Sequence, residues 1–148
     1  MKQLPNIGAS NELICAAEAE LGIRLPSELH EIWETCNCNE LPGGWRVFPI
    51  FDPSNPRKTA GSITYENLKG VWGIHVMQSG LLSIADNGTG NQLVLKVVSA
   101  EAGSEIFHWD HETEKLTRWK PGIESILRKA KKSRETVSKL QQRFSQTI

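Results

Sequence analysis

The chain has no apolar run that approaches the roughly 18 residues of a membrane-spanning helix, so no span is expected. Its opening, Met1-Lys2-Gln3-Leu4-Pro5-Asn6, lacks the apolar stretch of a secretory leader, and none is expected there. Cysteine is scarce: Cys15, Cys36 and Cys38 are an odd number, which argues against a disulfide framework. These absences predict a reduced, cytoplasmic protein. There is no internal repeat and no low-complexity tract. There is no Gly-x-Ser-x-Gly nucleophile turn, and no glycine-rich strand-to-helix unit of a dinucleotide fold.

What remains is ordinary globular composition: 148 residues, 39% hydrophobic and 23% charged. That length predicts one domain, large enough to bury a self-sufficient core without metals or disulfides.

Net charge is zero, from 17 basic and 17 acidic residues, but the two signs are segregated. Residues 1–114 hold 7 Lys/Arg and 15 Asp/Glu, a net of −8, and residues 115–148 hold 10 Lys/Arg and 2 Glu, a net of +8. Such asymmetry points either to a charged partner or to a basic helix lying across acidic helices of its own domain. The second reading is preferred.

Two helices open the chain. Ser10 is suited to cap the first, Leu13, Ile14, Ala17 and Leu21 form its apolar face, and Gly22 ends it. Cys15 is placed on its apolar side. Pro26 starts the second helix, whose inward residues are Leu25, Leu29, Ile32, Trp33 and Cys36. Glu28, Glu31 and Glu34 take its outer side.

After the Pro42-Gly43-Gly44 turn, Trp45 to Phe51 reads as a strand, edge or bulged because of Pro49. Ser62 to Leu68 is ambiguous, and Val71 to His75 reads as a short strand. Leu81 to Ala85 and Gln92 to Val98 form a hairpin around Asn87-Gly88-Thr89-Gly90-Asn91. Glu105 to Asp110 and Leu116 to Trp119 complete the sheet. A long helix runs from Pro121-Gly122 to near Ser145, with Ile123, Ile126, Leu127, Ala130, Val137, Leu140 and Phe144 as its apolar stripe. The expected fold is α+β: a mostly antiparallel twisted sheet of short strands, two N-terminal helices and one long C-terminal helix.

Sites for chemistry are few. Cys36-Asn37-Cys38 supplies two thiols, but a structural zinc needs four ligands and no second close pair exists. His108 and His111 are three apart in a strand, which sets them on opposite faces unless the turn at Asp110 intervenes. The cations Arg128, Lys129, Lys131, Lys132 and Arg134 lack interleaved aromatics for base stacking, so direct nucleic-acid binding is not expected. No catalytic residue, metal or cofactor is assigned.

The ordered pieces resemble a known family. Glu18-x-x-Leu21-Gly22-x-x-Leu25-Pro26-x-x-Leu29, Leu41 to Asp52, Ile84 to Asn91 and Ile106-Phe107-His108-Trp109-Asp110-His111-Glu112 are similar to successive motifs of the SUKH superfamily. That superfamily includes the yeast cell-wall assembly regulator and many bacterial toxin-immunity proteins. The chain departs from the pattern at Cys36-Asn37-Cys38-Asn39, where Asn-Gly-Gly is usual, and at Asn91, where Asp is common. The resemblance implies a domain over residues 1–128, with residues 129–148 a basic helical extension of it.

It also implies no catalysis. An immunity protein sequestering a cognate toxin, a nuclease by preference, is the leading reading. An intracellular scaffold binding other proteins is the alternative, and a metal-dependent hydrolase using His108 and His111 is a third. The partner-binding surface is assigned to Glu31, Glu34, Glu40, Asp52, Glu66 and Asp86, with Trp45 and Trp72 as aromatic anchors. The expected partner is the toxin, with no membrane contact, and the protein itself a monomer or weak homodimer.

Overall fold

The computed structural model describes residues 8–146, and side chains as far as Arg143. The opening hexapeptide and the Phe144 side chain, both read above, lie outside the described positions. Helices α1 (Asn11–Leu21) and α2 (Ser27–Thr35) come first. Ser10 Oγ accepts the Leu13 N–H at 3.2 Å, and Gly22 leaves α1 in the left-handed conformation at φ 66°. The Glu18 carboxylate accepts the Leu25 N–H at 2.7 Å and meets His30 Nε2 at 3.2 Å, which fastens the link between the helices to the start of α2.

Six antiparallel strands follow: β1 (Asn39–Leu41), β2 (Trp45–Val47), β3 (Leu81–Asp86), β4 (Gln92–Val98), β5 (Glu101–Trp109) and β6 (Leu116–Arg118). Each pairs with the next in sequence, so the sheet is a meander. Three short helices interrupt it between β2 and β3: α3 (Pro56–Thr59), α4 (Ile63–Leu68) and α5 (Val71–Met77). The long helix α6 (Gly122–Gln146) closes the described chain.

Strand alternation divides the apolar residues between two faces. Leu93 and Leu95 of β4 and Ile106 of β5 join Ile14, Leu29, Ile32, Trp33 and Ile126 in the main core, beneath α1, α2 and α6. Val94 and Trp109 point the other way and meet Val76 of α5 and Leu81 in a smaller cluster.

Three buried polar side chains splice segments that the ladder does not reach. The expected strand from Trp45 to Phe51 stops at Val47. Pro49 has no N–H to donate, and side chains take over the role of a neighbouring strand. Trp33 Nε1 donates to the Phe48 carbonyl at 3.0 Å, and the Asn37 amide both donates to and accepts from Ile50 at 2.8 Å. Asn67 does the same for β3: its amide donates to the Ser83 and Ile63 carbonyls, both at 2.8 Å, and accepts the Ser83 N–H at 2.9 Å. The β3–β4 register shifts between Ser83 and Ala85, so Asn67 supports the strand beside its irregularity.

Four expectations need correction. Val71 to His75 is helix, not strand: α5 buries Gly73 and Val76 and leaves Val71, Trp72 and Ile74 outside. Because it is apolar on both sides and rich in β-branched residues, its sequence mimics a strand. A Cβ on Gly73 would lie 1.9 Å from the Glu66 carbonyl oxygen, so only glycine lets α5 cross α4 this closely. The strand expected from Glu105 begins at Glu101, after a tight turn in which Ser99 and Ala100 have φ of 51° and 61°. Neither residue is the Gly or Asn that marks such a turn in sequence. Cys15 is exposed, not on the apolar side of α1. Finally, α6 packs along α2 as the internal reading of the charge split expects, yet Arg128, Lys129, Lys131, Lys132, Arg134 and Lys139 form no ion pair with an acidic residue of α1 or α2 among the described residues.

Candidate partner-binding surface

The eight residues assigned to partner contact fall into four environments. Trp45 is 8% exposed and packs in the main core, edge-on to the His108 ring at 5.7 Å. Asp52 is 6% exposed, and its carboxylate accepts the Ser54 N–H at 2.9 Å and hydroxyl at 2.7 Å, which closes the turn before α3. Both are internal supports.

Glu66 and Asp86 flank Arg46, whose Nη2 lies 3.9 Å from Glu66 and 3.4 Å from Asp86. The same guanidinium donates to the Gly61 carbonyl at 3.0 Å and sits over the Phe48 ring at 4.9 Å. Arg46 thus ties β2, β3, α4 and the turn before α4 together. Burial pushes the Glu66 carboxyl up, with Arg46 pulling it down and Asp86 pushing it up further.

Glu31 and Glu34 are exposed on α2 and carry no ion pair among the described residues. Glu40 is exposed on β1, directly across the ladder from Arg46. It shares a cleft with Arg46, Lys58 and Lys129, so it belongs to a cationic neighbourhood. Cys38 opens onto the same cleft. Partial burial of its thiol, then the nearby Cys36 sulfur, raises its pKa against the pull of Lys58 and Arg46.

Trp72 is 39% exposed on α5. Its ring meets Trp109 at 5.9 Å and His111 at 5.3 Å. His111 is held in turn by Asn91 Oδ1, 2.7 Å from Nδ1 and 3.0 Å from the His111 backbone nitrogen, whose N–H it accepts. On the other side His75 pairs with Glu114 at 2.5 Å and packs on Trp109 at 5.7 Å. His108 and His111, named above for the hydrolase reading, therefore pack on different rings, His108 on Trp45 and His111 on Trp72, and the Asn91 amide lies between them, with Nδ2 3.5 Å from His108 Nε2. Among the described residues, no group of three or more His, Cys, Asp or Glu is placed to hold a metal ion.

The structure adds residues around Trp72 that sequence reasoning did not select. Tyr65 and Leu68 of α4, Val71 and Ile74 of α5, and Phe51 are all exposed, Val71 by 79%. Phe51, Tyr65 and Leu68 border one shallow cleft with Glu20 of α1 and Lys69 on its rim. Scattered exposed apolar residues are normal, but six on one pair of short helices and the loop beside it are a patch of the kind interfaces use. The available signal was Ser62, whose Oγ accepts the Tyr65 N–H at 3.2 Å as a helix cap. Recognising α4 from that cap would have made the outward register of Tyr65 and Leu68 readable.

No helix among the described residues is long and apolar enough to cross a membrane. Comparison with curated proteins and with solved structures returns no match. A family model described as the SMI1 / KNR4 family (SUKH-1) matches residues 8–129, which is all of the described fold as far as the first third of α6. The chain belongs to the SMI1 / KNR4 family (SUKH-1).

Proposed function

We propose that the protein is a non-enzymatic binding protein of the immunity type, which captures a basic toxin protein through the α4–α5 corner and the acidic helices beside it. The family contains both toxin-immunity proteins and SMI1/KNR4-type regulators. The observation that carries the reading is the set of exposed aromatic and aliphatic side chains on α4 and α5, Tyr65, Leu68, Val71 and Trp72, with Glu20 and Lys69 on the rim of the cleft that Tyr65 and Leu68 border. An apolar centre with a charged rim suits a partner that presents an apolar anchor among polar and charged side chains. The exposed carboxylates of Glu31 and Glu34 would speed the approach of such a partner without supplying most of the affinity.

The test is a binding assay between the purified chain and the protein encoded beside it, at low and high salt. Trp72→Ala should weaken the complex by about 2 kcal/mol, the size of an aromatic anchor. Glu31→Lys with Glu34→Lys should slow association and flatten its salt dependence. A neighbouring protein that does not bind, with another intracellular protein held through the same corner, would replace the immunity reading with the scaffold reading.

A further inference from the structure

A second surface lies on the opposite chemistry. A cleft of about 650 Å³ runs between the β1–β2 turn, the segment after β6 and α6. Leu41, Pro42, Trp119 and Pro121 supply its apolar wall. Arg128, Lys131, Lys132 and Glu135 form the other wall. Their spacing of i, i+3, i+4 and i+7 is one stripe of a helix. None of the three cations is in an ion pair among the described residues. Lys129 borders this cleft and also the adjoining one, where Arg46 and Lys58 continue the positive lining and Glu40 is the carboxylate.

We propose that this cleft binds an acidic peptide segment of a partner protein, with one apolar side chain seated against Trp119 and carboxylates along the α6 stripe. Length supports the assignment. Seven residues of helix span about 10 Å, which is the reach of three or four residues of an extended chain. Chemistry supports it too: the floor needs an apolar group and the rim needs negative charge, and one short segment with both satisfies the whole cleft. A nucleic-acid strand fits less well. The cleft offers a single aromatic ring for stacking, and its apolar wall of Leu41, Pro42 and Pro121 matches an apolar side chain better than a sugar–phosphate strand. The site is separate from the α4–α5 corner and does not depend on the immunity reading.

The experiment uses the full chain and fluorescence anisotropy with three labelled probes. One is a short peptide of Asp and Glu around a Leu and a Phe, one is the same peptide with Asn and Gln in place of the acids, and one is single-stranded DNA of equal charge. The acidic peptide should bind, and its affinity should fall severalfold when salt rises from about 50 to 300 mM, because screening shortens across that range. Arg128→Gln with Lys132→Gln should raise Kd about tenfold, a change of about 1.4 kcal/mol. Trp119→Ala should do the same, and Trp72→Ala should leave Kd unchanged. Where Trp119→Ala does not fold, the surface charge pair alone decides. Equal binding of the neutral peptide, tighter binding of the DNA, no binding of the acidic peptide, or light scattering that shows a second copy filling the cleft would each overturn the proposal.

Discussion

The α4–α5 corner and the outer half of α6 are both exposed, yet they relate to the fold in opposite ways. The corner is built into the sheet. Asn67 is hydrogen-bonded to β3 at two points, Gly73 is pressed on the α4 backbone, and Val76 fills the smaller apolar cluster. Beyond Ala130, α6 has no fully buried residue among the described side chains, and Val137 and Ser138 are only half-covered. Its described side chains there are mostly polar and solvated. A surface on the corner can therefore be rigid at no extra ordering cost. A surface on α6 relies on charge and on the apolar wall that the sheet lends it.

Breaking the corner should have the largest effect. Asn67→Ala removes the partner of the buried Ser83 N–H and of two carbonyls, and should destabilise the fold by about 3 kcal/mol in a denaturant titration. The same variant should weaken any partner held by Trp72, since α4 and α5 lose their seat on β3. Removing residues 134–148 should do the reverse. It takes away no fully buried side chain among the described residues, and should change stability by no more than about 1 kcal/mol in thermal unfolding. A larger loss would mean that the outer half of α6 belongs to the core.

The smallest effect concerns Glu66. Burial raises its carboxyl pKa in the folded chain above the ordinary value of 4.5. The folded state then holds the proton more tightly than the unfolded state, so the wild type loses stability as pH climbs from about 4.5 through the raised value. Glu66→Gln does not titrate and should gain on the wild type across that window. Its lost contact to Arg46, at 3.9 Å and partly exposed, is worth little. Stability curves measured at several pH values check the sign, and a Gln variant that falls behind as pH rises would reverse the assignment.

Much of the frame was legible because it is local. Ser10 and Gly22 mark the ends of α1, Pro26 marks the start of α2, and β4 runs from Gln92 to Val98 as its alternation predicts. The family motifs lie on the same segments. The candidate site was less legible. Trp72 was selected, but its neighbours Tyr65, Leu68, Val71 and Ile74 were hidden in a stretch read as ambiguous or as strand. Trp45 and Asp52 were selected for their chemistry, and turned out to be buried where that chemistry holds the fold together.

Caps, turns and periodicity depend on residues a few positions apart, and for these the amino-acid order alone determined the outcome: two helices, an antiparallel sheet, a long last helix and a segregated charge. Exposure depends on what arrives from far along the chain. Only the tertiary structure decided that Asn37 and Asn67 would stand in for missing strand partners, and that a glycine in α5 would turn its apolar residues outward. Only it decided that α6 would pack along α2, where Arg134 Nη1 reaches the Thr35 carbonyl at 3.4 Å, because the placing of one helix against another depends on residues about a hundred positions apart.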